Sequence, residues 1–322
     1  MLLVSQSGLE EKLLRDEDVR PTFGGHEKFV FRNGWLKKGL DAIIGDSLIF
    51  TRDEALVTLG VGKNMVRSIR HWCLAASVAQ EKDGSGLAKP IVPSELGAKL
   101  LFRDGWDPYL EDMGSLWLLH WQLVSNRTRT LVWSIIFSSY FQAEFSKVQL
   151  TELINKQFEQ MNIRTTQGTI EREIDTFIRM YVPAGAQKNQ VSEENLDCPL
   201  AELDIIQAIL EEGLYRFNIG PKSSLPAAIV GYALFHFLSG RLQTRRTMAI
   251  EEALYQHGSP GQAFKLDEDS LVDYLELLEL TTTGMLRINE TAGLRQIYLS
   301  DEVANNLNTW AYLLLDQYYG RN

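Results

Sequence analysis

The sequence predicts a mainly α-helical protein in which tandem winged helix-turn-helix units with short β-hairpins are joined by buried helices. Three observations support this fold class. Paired amphipathic segments separated by short turns occur three times along the 322 residues. Residues 284–299 have the pattern of a β-hairpin. Two apolar stretches without Asp, Glu, Lys or Arg, at 131–141 and 225–238, suit buried helices and are shorter than the roughly 18–20 residues that cross a membrane.

The first helix-turn-helix unit is predicted just after residue 50. Thr51 and Glu54 have the spacing of a capping box, which begins a short helix. Gly60 and Gly62 supply the turn, and a second helix runs from Lys63 to about residue 79 with an apolar stripe at helical spacing. A loop, an extended piece and a further helix complete the winged-helix interpretation, at residues 83–86, 88–92 and 94–101.

Two further pairs of amphipathic helices follow. The second pair is predicted at 148–161 and 169–181, and the third pair at 247–257 and 267–280. A polar segment without periodicity, 184–196, is the best linker candidate. We therefore expect three domains: an N-terminal winged-helix domain at 1–113, a helical linker with the second unit at 114–190, and an acidic C-terminal winged-helix-like domain at 191–322.

Charge is segregated along the chain. The formal net charge is −10, which argues against attraction of the whole molecule to phosphate. Residues 20–80 nevertheless contain nine basic and five acidic residues, whereas residues 251–279 contain eight acids and one base. One end of the chain therefore suits a polyanion, and the third unit suits packing or protein docking.

The second helix of the first unit is the predicted DNA-binding element. No acidic residue occurs between 55 and 80, and the side of this helix opposite its apolar stripe is polar and basic. The residues on that side are Lys63, Asn64, Arg67, Arg70 and His71. Such side chains in a recognition helix contact base edges and phosphates in the major groove. A solvated charged face is the alternative.

A dense polar and aromatic segment at 23–38 is predicted to extend this surface. Alternation around Phe29 and Phe31 predicts a short strand, and a helix follows from near Trp35. The candidate DNA-binding residues in this segment are Lys28, Arg32, Lys37 and Lys38.

The same segment allows two other interpretations. A buried pair of Glu27 with Arg32, supported by aromatic packing, would make it purely structural. A catalytic pair of His26 with Glu27 would make it part of an active site.

Few enzyme classes fit the sequence. It lacks a nucleotide-binding glycine loop, a serine-hydrolase elbow and a zinc-protease helix. Four acids offer hard oxygen ligands for Mg²⁺ or Mn²⁺ in a metal-dependent DNA nickase: Asp104, Asp107, Glu111 and Asp112. Helix capping and first-turn acids explain the same residues without a metal.

The remaining polar residues of interest fit a protein interior. Cys73 and Cys198 stand far apart in the sequence without metal-ligand spacing around them, so both are predicted to be buried thiols. His120 falls in an apolar helix and is predicted to be a hydrogen-bonded core residue.

Three stretches, at 25–38, 59–72 and 107–121, resemble an uncharacterised-domain family, number four thousand and seven, and the resemblance runs over nearly the whole chain. Members of that family sit beside genes for DNA phosphorothioation, the replacement of a non-bridging phosphate oxygen by sulfur. The nicking subunit of the Ssp-type system is similar to them. The resemblance implies sulfur-transfer and ATPase partner proteins, and it assigns no catalytic residue.

These observations lead to one main hypothesis and one alternative. The main hypothesis is a cytoplasmic, duplex-DNA-binding component of a phosphorothioation and phage-defence system, with nicking as a further activity that would need Mg²⁺ or Mn²⁺. The alternative is a non-enzymatic adaptor or transcription-regulator-like protein whose third unit docks partners of the same system through Glu268, Asp269 and Asp273.

Overall fold

A computed structural model describes residues 20–82, 89–183, 198–209, 213–239, 241, 246–291 and 294–320. The protein is mainly helical, with three small antiparallel β-sheets, which confirms the predicted fold class at that level. The predicted loop at 83–86, the linker at 184–196 and the domain boundary at residue 190 lie outside the described residues.

The first unit runs from α1 to α4. Its elements are α1 (Trp35–Gly45), a 3-10 turn (Ile49–Thr51), α2 (Ala55–Leu59), α3 (Lys63–Ala75), β1 (Ala79–Glu81), β2 (Ile91–Pro93) and α4 (Glu95–Leu101). Gly60 ends α2 with a left-handed φ of 63°, which places α3 directly after a tight turn. The strands β1 and β2 pair antiparallel, and the Ser94 hydroxyl accepts the Gly97 N–H to begin α4.

Three local predictions for this unit are wrong. Thr51 does not begin a capping box, because it lies in the 3-10 turn and its hydroxyl donates to the Leu48 carbonyl at 2.7 Å. The second helix ends at Ala75 rather than near residue 79, since Ser77 has a left-handed φ of 55° and the chain turns into β1. Residues 29–31 form a loop and not a strand, whereas the helix predicted from Trp35 is confirmed.

The middle of the chain places the second helix pair on two buried helices. The elements are α5 (Met113–Ser125), α6 (Leu131–Ser139), β3 (Glu144–Ser146), α7 (Lys147–Gln160), α8 (Gln167–Tyr181), a 3-10 turn (Pro199–Leu203), β4 (Ile206–Ala208) and β5 (Leu214–Phe217). Side-chain caps begin both helices of the pair, at Ser146 and Thr166. The strands form a sheet of order β3-β5-β4. The pair α7 and α8 confirms the helices predicted at 148–161 and 169–181.

The third unit follows a buried helix, as predicted. The elements are α9 (Ala227–Ser239), β6 (Thr247–Ala249), α10 (Ile250–Tyr255), α11 (Pro260–Phe264), α12 (Glu268–Thr281), β7 (Leu286–Thr291), β8 (Leu294–Leu299), α13 (Asp301–Asn305) and α14 (Leu307–Tyr318). The predicted hairpin at 284–299 is confirmed, and β6 joins it in a sheet of order β6-β8-β7. Helix α14 packs along α9 and closes the core.

Buried polar contacts connect the middle of the chain to the third unit. The His120 ring contacts the Tyr181 hydroxyl through Nδ1 and the Ala263 carbonyl through Nε2, both at 2.8 Å. The buried Lys265 amino group donates to the Phe137 carbonyl at 2.7 Å. Since each contact joins different elements, these units pack against each other through satisfied polar groups as well as apolar ones. The prediction for His120 is confirmed.

Two further sequence expectations concern membranes and thiols. Among the helices of the described residues, none combines the length and the apolar character needed to span a membrane. Both cysteines are free and buried, as predicted. Burial raises the pKa of the Cys73 thiol to about 12, which makes it unreactive.

Candidate nucleic-acid interface

Helix α3 has an exposed polar face at its N-terminal end. Its apolar side, including Val66, Ile69 and Cys73, is buried as predicted. Lys63, Asn64 and Arg67 are exposed. The Arg67 side chain is 56% exposed, so this part of the predicted recognition face is open to solvent.

His71 does not belong to that face. The residue is only 4% exposed and its ring packs against Gly25 so closely that a Cβ at that glycine would lie 2.4 Å from Nδ1. Burial, with a smaller contribution from His26, holds the pKa of His71 well below its usual range. The prediction that His71 contacts DNA is therefore wrong, because the segment at 24–26 covers this position of the helix.

Arg70 is partly buried and forms an ion pair within the protein. Its guanidinium lies 2.7 Å from the Glu81 carboxylate, which also binds Arg129 at 3.1 Å. The strand β1 returns beside α3 and brings Glu81 to this position. The exposed DNA-binding candidates on α3 are thus reduced to Lys63, Asn64 and Arg67.

The loop at residues 23–31, here called the His-Glu-Lys loop, is anchored on α8. Glu173 of α8 is buried and accepts hydrogen bonds from the Gly24 N–H at 2.6 Å and from His26 Nε2 at 3.0 Å. The second ring nitrogen of His26, Nδ1, accepts the Lys28 N–H at 3.1 Å. His26 is 1% exposed and contacts Glu173 rather than Glu27, so the predicted catalytic pair of His26 with Glu27 is wrong.

The tip of this loop is strained. Glu27 and Lys28 have positive φ values of 49° and 66°, and they are adjacent residues with Cβ atoms. Each such residue costs on the order of 1–2 kcal/mol. The loop is held after the tip as well, because the Trp72 indole N–H donates to the Phe29 carbonyl at 2.9 Å. Glu27 and Lys28 are thereby held at a fixed position. The loop takes the place of the short strand predicted around Phe29 and Phe31.

Two adjoining clefts lie where the His-Glu-Lys loop meets α3, α7 and α8. One, of about 380 Å³, is lined by the loop, Asn64 and Arg179. The other, of about 270 Å³, lies between Lys28, the start of α7 and α8. Lys28 and Arg179 line both, so the two are treated as one surface, the basic cleft. Its basic residues are Lys28, Arg32, Lys147, Arg172 and Arg179, and its acids are Glu27 and Asp175.

Partly exposed ion pairs orient side chains at the basic cleft. Arg67 lies 3.2 Å from Glu27, and Lys147 lies 2.5 Å from Asp175. Arg179 donates to the Lys28 carbonyl at 2.5 Å. Ion pairs this exposed are worth about 0–1 kcal/mol, so a phosphate can displace the carboxylates at little cost.

Arg32 lies at the basic cleft, whereas Lys37 lies away from it. Arg32 lines the basic cleft with its guanidinium 5.5 Å from the centre of the Trp35 ring. The predicted pair of Glu27 with Arg32 is wrong, because Glu27 binds Arg67 instead. Lys37 pairs with Asp41 and lines a separate cleft. Lys38 is exposed and lines neither part of the basic cleft.

Two of the four predicted metal-binding acids, Asp107 and Asp112, have structural partners. Both carboxylate oxygens of Asp107 accept backbone N–H groups, from Glu111 at 3.0 Å and Asp112 at 2.9 Å. Asp112 caps α5 through the Gly114 N–H and also accepts the Tyr318 hydroxyl, each at 2.6 Å. Asp104 lines the same separate cleft as Lys37. Helix capping, which the sequence allowed, accounts for Asp112, and Asp107 holds the turn before that helix.

Sequence reasoning missed the contribution of α8. Arg172 and Arg179 stand among acids in the sequence, and no DNA-binding candidate is predicted on this helix. Glu173 is 3% exposed. The seven-residue spacing of Arg172 and Arg179 is the signal for a shared helix face, but the nearby acids obscured it. Lys147 and the buried role of Glu173 depend on tertiary contacts, which the sequence does not display.

Comparison with known proteins places this geometry in context. The family model described as "Protein of unknown function (DUF4007)" matches residues 23–319. The structure titled "Magnesium ion-bound SspB crystal structure" has a TM-score of 0.85 and 29% sequence identity. The structure titled "SspB crystal structure" has a TM-score of 0.83 and 30% identity. Each similarity covers 94% of this chain and 89% of the other. No curated protein matches the chain.

The magnesium ion named in the first of these titles belongs to that SspB structure and not to this chain. Within the described ranges of this chain, no group of three or more His, Cys, Asp or Glu side chains is arranged to hold a metal. Asp107 and Asp112 direct their carboxylate oxygens at N–H and hydroxyl donors of this chain.

Proposed function

Because the chain belongs to the DUF4007 family, we propose that it binds duplex DNA through the basic cleft as a component of a DNA phosphorothioation and phage-defence system. One observation carries the DNA-binding part of this proposal. Basic side chains from the His-Glu-Lys loop, the start of α7 and α8 line one continuous cleft although they are far apart in the sequence. The similarity to SspB and the family resemblance support the phosphorothioation context.

In this proposal, the basic cleft and α3 contact different parts of the DNA. Lys and Arg side chains of the cleft suit the phosphate backbone. Asn64 and Arg67, at the exposed start of α3, suit the base edges of an adjacent major groove. In this proposal the first two units are winged helix-turn-helix domains, and α3 is the recognition helix of the first.

The experiment is titration of a labelled duplex with wild-type protein and variants over a series of salt concentrations. The variant Arg172→Ala/Arg179→Ala should bind about tenfold or more weakly, and the dependence of log affinity on log salt should become shallower by about two contacts, roughly 0.9 each. The matched control, Arg246→Ala/Arg295→Ala, removes two exposed arginines of the third unit. Equal affinity of the cleft variant and the wild type would overturn the proposal.

Docking of partner proteins is a second candidate function, and one feature of α12 favours it. Glu268, Asp269 and Asp273 are exposed on this helix, and the exposed side chains of Leu277 and Leu280 follow them. We infer that this face binds a basic segment of a sulfur-transfer or ATPase partner of the same system. Neutralising the three acids should abolish co-purification with the partner while duplex binding is unchanged. Co-purification that survives this change would reject the role.

Nicking of the bound duplex is the activity that the family resemblance adds. No catalytic step is assigned to named residues, since His26 is buried and the carboxylate of the buried Asp107 accepts two backbone N–H groups. Supercoiled plasmid incubated with the protein, its system partners and Mg²⁺ or Mn²⁺ tests this activity directly. Nicked circular product would establish it, and intact plasmid would restrict the chain to DNA binding.

A further inference from the structure

The two strained residues at the tip of the His-Glu-Lys loop need a structural reason. Adjacent left-handed residues with side chains persist only where the surrounding structure over-determines them, and they cluster at binding and catalytic sites. Here they are Glu27 and Lys28, and both line the basic cleft.

A chain of hydrogen bonds leads from α8 to this tip. The Glu173 carboxylate accepts His26 Nε2–H at 3.0 Å, and His26 Nδ1 accepts the Lys28 N–H at 3.1 Å. The first contact is buried, because the two side chains are 1% and 3% exposed. Because Nδ1 faces the Lys28 N–H, the geometry assigns the ring proton to Nε2, where the Glu173 carboxylate accepts it; the Thr176 hydroxyl also lies 3.3 Å from Nδ1.

The same helix also holds the tip from the cleft side. Arg179, two turns after Glu173 on α8, donates to the Lys28 carbonyl at 2.5 Å. The Lys28 peptide is thereby fixed at its N–H through His26 and at its carbonyl through Arg179. These contacts hold the His-Glu-Lys loop of the first unit at a fixed position relative to the basic side chains of the second unit.

We propose that Glu173, acting through His26, is a positioning residue that holds Lys28 in the basic cleft for contact with a DNA phosphate. This inference rests on the proposed function, and it concerns a residue that does not itself touch DNA. It explains why a buried carboxylate and a buried histidine lie beneath a strained, exposed lysine.

A double-mutant cycle on duplex binding tests the inference. Glu173→Ala should lower affinity about tenfold, as Lys28→Ala does, and the double variant should bind no more weakly than Lys28→Ala alone. Glu173→Gln keeps a carbonyl oxygen as acceptor and should restore binding to within about twofold of wild type. In contrast, Lys63→Ala should lose the same factor in the wild-type and Glu173→Ala backgrounds. Additive losses for Glu173 and Lys28 would overturn the inference.

A second variant covers the case in which Glu173→Ala does not fold. His26→Gln keeps a donor for Glu173 but removes the ring nitrogen that accepts the Lys28 N–H. It should give the same non-additive cycle with Lys28→Ala, and additive losses would again contradict the inference.

An independent readout does not require DNA. Imidazole ¹⁵N spectra of the chain, which has five histidines, should show His26 as the Nε2–H tautomer in the wild type and in Glu173→Gln. An Nδ1–H tautomer would overturn the inference, because two donors would then face each other. Wild-type protein that binds no duplex at all would instead refute the proposed function, so the two failures are distinguishable.

Discussion

Glu27 sets how strongly the basic cleft attracts an anion. Among the residues that the structure describes, it is the one carboxylate lining the cleft of about 380 Å³, and it lies 3.2 Å from Arg67. A phosphate must displace this carboxylate before it can engage the Arg67 guanidinium. In the proposed DNA-binding role, the Glu27 carboxylate should therefore lower non-specific affinity for phosphate and favour DNA that offers additional contacts.

Removing the Glu27 charge should strengthen DNA binding. Glu27→Gln frees Arg67 and deletes one negative charge from the cleft, so duplex affinity at low salt should rise about three- to tenfold. The measurement is a salt series with a labelled duplex, and Asp301→Asn, which neutralises an exposed acid of the third unit, is the matched control. A lower affinity for Glu27→Gln would show that the carboxylate orients Arg67 rather than competing with DNA.

Part of the candidate site was predictable residue by residue. Lys28, Arg32, Asn64 and Arg67 are found from the basic, acid-free character of the first unit, and the structure places them at or beside the basic cleft. His71 could not be recognised as buried, because the residue that covers it, Gly25, is 46 positions away in the sequence. Helical periodicity reports one face of one helix and says nothing about which loop lies on it.

At the scale of elements, helices with a clear apolar stripe were predicted well, and the irregular loops between elements were not. Helices α7 and α8 differ from the predicted spans by one or two residues, since an apolar stripe and a polar cap define both. The His-Glu-Lys loop was predicted as a strand because alternation does not reveal positive φ values at Glu27 and Lys28. Only the tertiary contacts with Glu173 and Trp72 make that loop possible.

The start of α4 depends on close backbone packing that only glycine allows. A Cβ at Gly97 would lie 1.8 Å from the Val78 carbonyl oxygen, whereas a Cβ at Gly45 would meet nothing within 4 Å. Gly97→Ala should therefore lower the free energy of unfolding by about 1–3 kcal/mol or more. Gly45→Ala, in contrast, should leave it nearly unchanged. Urea unfolding of both variants decides the point, and equal stability of the two would refute the packing argument.

At the scale of the whole molecule, buried histidines make stability depend on pH. Burial lowers the pKa of His120 and of His257 from 6.5 to about 4. In the unfolded chain both rings bind protons near pH 6.5, so the unfolded state binds more protons between about pH 6.5 and 4. The contribution of these neutral rings to stability is complete above pH 6.5 and is lost as the pH falls towards 4.

Urea unfolding at a series of pH values checks this linkage. The free energy of unfolding should fall below pH 6.5 by up to about 1.4 kcal/mol per pH unit for each histidine. His120→Gln should reduce that slope by about one proton, since it removes one of the buried histidines whose pKa is lowered. A slope that is the same in this variant and in the wild type would contradict the assignment.

Charge segregation gives the molecule two different ends. The basic cleft lies between the first and second units, and the exposed acids of α12 lie in the third. With a net charge of −10, the molecule should repel DNA over most of its surface. This charge distribution supports the proposals that DNA binds at the cleft and that protein partners bind the third unit.

Ultraviolet cross-linking of the protein to a duplex, followed by peptide mass spectrometry, tests the central claim most directly. Cross-linked peptides should come from the His-Glu-Lys loop, the first turn of α3 and helix α8, and they should disappear at high salt. Cross-links confined to α12 and the third-unit hairpin, with none at the basic cleft, would contradict the account.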